Sequence, residues 1–167
     1  VNNEIGAIND INAIAKLVKQ KNPRVIFHSD GVQAYGKIPY KLAKEVDLYS
    51  VSAHKIGGLK GVGGLIKRKS LVLPAYIYGG GQEAGKRSGT ENVFGIKHFE
   101  FAANEKFATI KEDFARIKTY RELLWELLDK EVSHPLSSET ATPYMLSVSV
   151  IRGRGEIDIH MANDKRL

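Results

Sequence analysis

The sequence predicts an α/β fold with a mixed or mostly parallel sheet. Three observations predict it. Apolar runs at 24–28 (RVIFH), 46–52 (VDLYSVS) and 62–67 (VGGLIK) have the length and continuity of buried strands. Short helical or loop segments separate them. A long helical pattern then follows, as expected where a sheet domain hands over to a smaller unit.

Taken in order, residues 9–21 put Ile11, Ile14, Ala15, Leu17 and Val18 at helical spacing, with Asn9 or Asp10 as cap and Pro23 as the stop. The three strands follow. Residues 79–89 are glycine-rich and form a loop. From 92 to 130 the pattern is helical, with Ile110, Phe114, Ile117, Leu124 and Leu128 on one face and charges opposite. Residues 144–151 (YMLSVSVI) read as a strand, and 156–163 as a helix after the turn at 152–155. The expected division falls near residue 106, with 1–105 as one domain and 106–167 as a long connecting helix and part of a second.

Composition narrows the function classes. An apolar fraction of 43% and a charged fraction of 26% suit a globular chain of 167 residues with a real core. Apolar runs fall far short of a membrane span, and VNNEIG has no signal-peptide pattern. The chain begins at Val1 rather than Met and stops at Leu167 straight after a helix-like segment, so a piece of a longer protein is expected. There are no cysteines, which excludes disulfides and Cys-ligated metal within these residues and leaves the cytoplasm as the default setting. The net charge of +6 is scattered among acids, which favours anionic small molecules over nucleic acid.

Three stretches carry chemistry. HSDGVQ at 28–33 places Asp30 at the carboxyl end of a strand, where open α/β sheets bind ligands. A helix N-cap is the plainer role for such an Asp. SAHK at 52–55 places Lys55 at the end of the next strand, ahead of a glycine-rich turn at 57–64. A lone lysine is normally a surface residue, but adjacent strands would bring Asp30 and Lys55 to one end of the sheet. Pyridoxal phosphate (PLP) requires that pair: a lysine to link it covalently and an aspartate to keep its ring nitrogen protonated. GGGQEAGKRSGT at 79–90 offers backbone N–H groups, hydroxyls and cations suited to phosphate. Residues 80–86 fit the first part of a P-loop, but Arg87 stands where that motif needs Ser or Thr. His28, His54, His98, His134 and His160 have no metal-site spacing, and no G-x-S-x-G occurs.

Read together, VNNEIG, HSDGVQAYGKIP, VDLYSVSAHKIGGLKGVGGL and GGGQEAGKRSGTEN resemble cysteine desulfurases of the NifS/IscS type, in the class V aminotransferase group of PLP enzymes with fold type I. The likeness runs in order over about residues 1–105 and more loosely beyond. It implies part of the large-domain sheet plus part of the small C-terminal domain. It further implies that Lys55 holds PLP covalently and Asp30 pairs with the pyridinium nitrogen. Gln33 and Asn3 lie near the phenolic oxygen, Ser52 and His54 bind the phosphate, and Thr90 reaches the phosphate of a neighbouring subunit's cofactor in a homodimer. No metal is implied.

The reaction implied converts L-cysteine to L-alanine. Lys55 or a nearby base moves the Cα proton, and a separate enzyme cysteine takes the sulfur as a persulfide. A sulfur-acceptor protein of the scaffold or thiolation type then receives it for iron–sulfur cluster or thio-nucleoside assembly. Other class V enzymes, a selenocysteine lyase or an aminotransferase, are the nearest alternatives, and a catalytically inert fragment is another. Three departures stand out: no cysteine, no ring-stacking His segment ahead of Val1, and Leu59 where the family's turn usually has Pro.

Overall fold

The computed structural model describes residues 1–150, and the expected helix at 156–163 lies outside them. Two compact units divide the chain: Asp10–Ile110, and Val1–Asn9 with the chain from Lys111 onward. No helix among the described residues is long and apolar enough to cross a membrane.

The first unit opens with α1, Ile11–Lys21. Asp10 caps it by accepting from the Ala13 N–H at 3.0 Å. Only one side of the helix faces inward. Ala15 is fully buried and Ile11 partly so, whereas Ile14 and Leu17, expected on the same apolar face, are exposed. Three strands form the sheet: β1 (His28–Asp30), β2 (Leu48–Ser52) and β3 (Gly63–Lys67). β1 runs parallel to β2, and β3 antiparallel to it, so the sheet is mixed. Tyr49 and Val51 point to the buried side and join Ala15 and Val46 in the core, with Phe27 and Phe99 packed against them.

The first strand starts four residues later than the apolar run at 24–28 suggests. The cause is the Asp47 carboxylate, which accepts the Phe27 N–H at 2.8 Å, while the Phe27 carbonyl takes the Asp47 and Leu48 N–H groups. Lys19 and Arg68 pair with the same buried carboxylate. Burial works against the charge of Asp47, but the Lys19 and Phe27 hydrogen bonds and the two cations outweigh it and hold its pKa below the usual value. The residues before Phe27 are thereby anchored as an exposed turn rather than as ladder.

The long helical pattern is two helices, α2 (Val93–Ala108) and α3 (Ile110–Leu127), broken at Thr109, whose φ of −121° and ψ of 13° leave the helical region. On α3 the half-buried stripe is Ile110, Phe114, Ile117, Arg121 and Trp125, and Leu124 is exposed. Arg121 is held inward through its head group, donating to the carbonyls of Met145 (3.2 Å) and Ser138 (2.9 Å). In the second unit a short strand that the sequence does not announce, β4 (Ser133–Pro135), pairs antiparallel with β5 (Val148–Val150). The run at 144–151 is therefore strand only at its end, because Thr142–Met145 is tied in a turn.

Candidate active site

Parallel pairing of β1 with β2 sets Asp30 opposite Ser50, so both strands deliver their carboxyl ends to one edge of the sheet. β1 ends in Asp30 itself, and its chain turns at once. The Gly31 N–H donates to the Ser50 carbonyl at 2.8 Å. A Cβ at Gly31 would fall inside the ring of Tyr49, which is buried at 1% exposure, so only glycine lets the chain cross there. Residues 31–38 then coil through overlapping turns, with Ala34 and Tyr35 both bonded to the Gly31 carbonyl. Tyr35 sits edge-on between Phe99 and Phe107 of α2, at 6.0 and 5.0 Å between ring centres, and fixes this turn against the helix.

β2 ends at Ser52 and passes into a single 3₁₀ turn, Ala53–Ile56, which carries His54 and Lys55 outward while Ala53 and Ile56 are buried. Gly57, at φ 92°, closes it in a left-handed cap. The two turns meet: Ile56 Cγ2 stands 2.9 Å from where a Gly36 Cβ would be.

The side chains present a coherent set. Asp30 uses one carboxylate oxygen locally, taking the Val32 N–H at 2.8 Å, which is the capping role in miniature. Its other oxygen has no protein partner among the described residues. Ser52 Oγ and His54 Nδ1 lie 2.8 Å apart and form a paired polar edge. Lys55 is exposed and enters no ion pair among the described residues. His28 Nε2 and Ser50 Oγ lie 2.8 Å apart on the same sheet face as Asp30. Tyr49 reaches towards Asp30 from below, and its hydroxyl bonds that of Tyr40. Burial, chiefly, raises the pKa of Tyr49, and the Asp30 charge adds to it; the bond to Tyr40 works the other way. Burial and the bond to Tyr49 raise that of Tyr40. Gln33 Oε1 accepts from Lys37 Nζ at 2.9 Å. The sequence pattern did not single out Lys37; its place four residues after Gln33 is the only signal it gives.

Asp30, Gln33, Ser52, His54 and Lys55 thus share one edge of one unit. Thr90 lies in the same unit, exposed, two residues before Asn92, whose side chain caps α2 by accepting from Gly95. Asn3 belongs to the other unit and is exposed beside an Asn2 that bonds Glu4 and Ile5. A shallow apolar cavity occurs at the opposite end of the sheet, lined by Leu42, Val46, Leu48 and Ile66 among others, and contains none of these residues. No cluster of three or more potential metal ligands occurs among the described residues.

A carboxylate with a spare oxygen, an exposed amine and a hydroxyl–imidazole pair thus lie at the carboxyl ends of two parallel strands of an α/β sheet, where such sheets bind ligands. The aminotransferase class V family model matches residues 1–154, and the chain belongs to that family. It is 43% identical over 161 residues to a cysteine desulfurase IscS of Buchnera aphidicola subsp. Baizongia pistaciae, covering 93% of this chain and 39% of the relative. To a cysteine desulfurase IscS of Shewanella loihica it is 47% identical over 129 residues, 75% of this chain and 31% of the relative. Among solved structures, a NifS-like protein superposes with a TM-score of 0.89 at 39% identity, over 93% of this chain and 43% of that one. A NifS-like protein from Rickettsia africae gives 0.87 at 34% identity, over 96% and 46%. The chain therefore spans less than half the length of the relatives it matches.

Proposed function

We propose that the whole protein containing this chain is a PLP-dependent cysteine desulfurase, converting L-cysteine to L-alanine and passing sulfur through an enzyme persulfide to an acceptor protein for iron–sulfur cluster or thio-nucleoside assembly. The observation that carries the reading is the juxtaposition of Asp30 and Lys55, an exposed lysine with no ion pair among the described residues, at the ends of parallel β1 and β2. Likeness to the IscS and NifS-like proteins supports it. In this reading residues 1–105 belong to a large cofactor-binding domain and 106–167 to a connecting helix and part of a smaller one.

The residues fit PLP. The spare Asp30 oxygen would accept from the ring nitrogen, Lys55 would hold the group covalently, Ser52 and His54 would donate to its phosphate, and Gln33 and Asn3 would meet its phenolic oxygen. PLP supplies an electron sink that acidifies the substrate Cα–H. The Lys55 amine, or a nearby base, would carry that proton. Thr90 would serve the phosphate of a second subunit, making the protein a homodimer. With no cysteine among the 167 residues, the sulfur-accepting thiol comes from elsewhere in the whole protein.

The test is borohydride reduction of the PLP-loaded protein followed by peptide mapping. The pyridoxyl group is expected on Lys55, with alanine formed from L-cysteine before reduction and none after. A label on another lysine overturns the assignment.

A further inference from the structure

Lys37 is a half-buried cation. No carboxylate pairs with it among the described residues, and its hydrogen bond goes to the neutral Gln33 Oε1 at 2.9 Å. The charge that acts on it is another cation, that of Lys55. Burial first, and the Lys55 charge second, lower its pKa. Such an arrangement is unfavourable unless an anionic or electron-rich group completes it.

An ammonium can only donate, so it can hold a carboxamide only by the oxygen. The Gln33 NH₂ is then the one end left for another partner, and a cation on the carbonyl strengthens those N–H donors. The turn that presents both residues is rigid, clamped by Tyr35 between Phe99 and Phe107 and closed onto the Lys55 turn at Gly36 and Ile56. We propose that Lys37 is a positioning residue for the cofactor, orienting Gln33 as an obligate donor to the cofactor's phenolic oxygen and placing positive charge behind that contact. The proposal rests on the reading that Lys55 and Gln33 hold PLP. It adds a residue whose effect travels through Gln33 rather than by direct contact.

The experiment is a spectrophotometric pH titration of the PLP-loaded whole protein, with PLP affinity measured in parallel. Removing a nearby cation favours the protonated form of the bound chromophore, so Lys37→Met should move the titration midpoint up by about one pH unit and weaken PLP binding roughly tenfold. Lys37→Arg, which keeps the charge, should restore the midpoint to near the parent value. In a Gln33→Leu background the Lys37→Met shift should fall to less than about half. If the Met variant does not fold, as read by near-UV circular dichroism, Lys37→Gln replaces it. A parent-like midpoint and affinity in the folded neutral variant overturn the proposal, as does a full shift in the Gln33→Leu background. If the parent protein carries no PLP on Lys55, the functional reading falls and this inference with it. A loaded parent with an indifferent Lys37 sinks the inference alone.

Discussion

The turns that carry Asp30 and Lys55 and the loop at 79–89 are all rich in glycine, yet their glycines answer different demands. At Gly31 and Gly58, glycine makes room. A Cβ on Gly31 would enter the Tyr49 ring, and one on Gly58 would lie 2.8 Å from Ala53 Cβ and 2.9 Å from its carbonyl oxygen. Tyr49 and Ala53 are both buried. In the loop, a Cβ at Gly85 would meet nothing within 4 Å, and the backbone dihedrals are the issue. Glu83 and Ala84, at φ 52° and 54°, share a left-handed turn with Gly85 at φ 76°, closed by the Gly85 N–H on the Gly81 carbonyl at 2.9 Å. The loop is otherwise tied to itself, with Gly89 N–H on Gln82 Oε1 at 3.0 Å and Ser88 N–H on the Ile77 carbonyl at 2.9 Å. The turns at Gly31 and Gly58 are therefore set by the buried side chains against them, and the turn at 81–85 by its own bonds.

The sharpest way to break this contrast is Gly31→Ala. The added methyl must displace a fully buried ring, so a loss of about 3 kcal/mol in urea unfolding is expected. Tyr49→Leu clears the space. The double variant should therefore lose at least about 1 kcal/mol less than the sum of the two single losses. Strict additivity would mean that Tyr49 is not what excludes a side chain at residue 31.

Gly58→Ala comes next, at about 1–3 kcal/mol, because Gly58 is only half-buried and its turn can shift. Denaturant midpoints measure it, and a change below about 0.5 kcal/mol would show the Lys55 turn to be looser than its contacts imply.

How much of this was legible follows from the same distinction. The apolar run at 46–52 announced β2, because burial of Tyr49 and Val51 leaves a continuous signature in sequence, whereas the run at 24–28 meets β1 only at His28, and β1 is largely exposed. The start of β1 was misplaced because the Asp47 side chain captures Phe27, a contact across twenty residues that no local pattern reports. One helix was expected from 92 to 130 because the periodicity persists through Thr109, whose single non-helical residue breaks the chain without breaking the pattern. Arg121 was missed on the inward stripe because its place depends on two carbonyls seventeen and more residues away. The Lys37–Gln33 bond was invisible because spacing of four suggests a helix face, whereas 31–38 is a series of turns. The left-handed conformation at Glu83 and Ala84 gives no sign in residue type at all.

The smallest expected effect has the opposite sign and concerns that conformation. For an L-residue the left-handed region costs about 1–2 kcal/mol, relieved by glycine. Glycine in turn makes the unfolded chain looser, at a cost of about 0.5–1 kcal/mol. The two nearly cancel, and the first is larger. Ala84→Gly should therefore stabilise by about 0.5 kcal/mol, while Gly85→Ala, at φ 76° with open space around it, should destabilise by about 1 kcal/mol from dihedral strain alone. Because the loop's bonds are local, the change should show most clearly as slower limited proteolysis within 79–89 in the Ala84→Gly variant, with a thermal midpoint shifted by only a degree or two. Faster cleavage in that variant would mean that residue 84 does not hold a left-handed backbone in solution. The contrast between a site shaped by its core and a loop shaped by its own strain would then be lost.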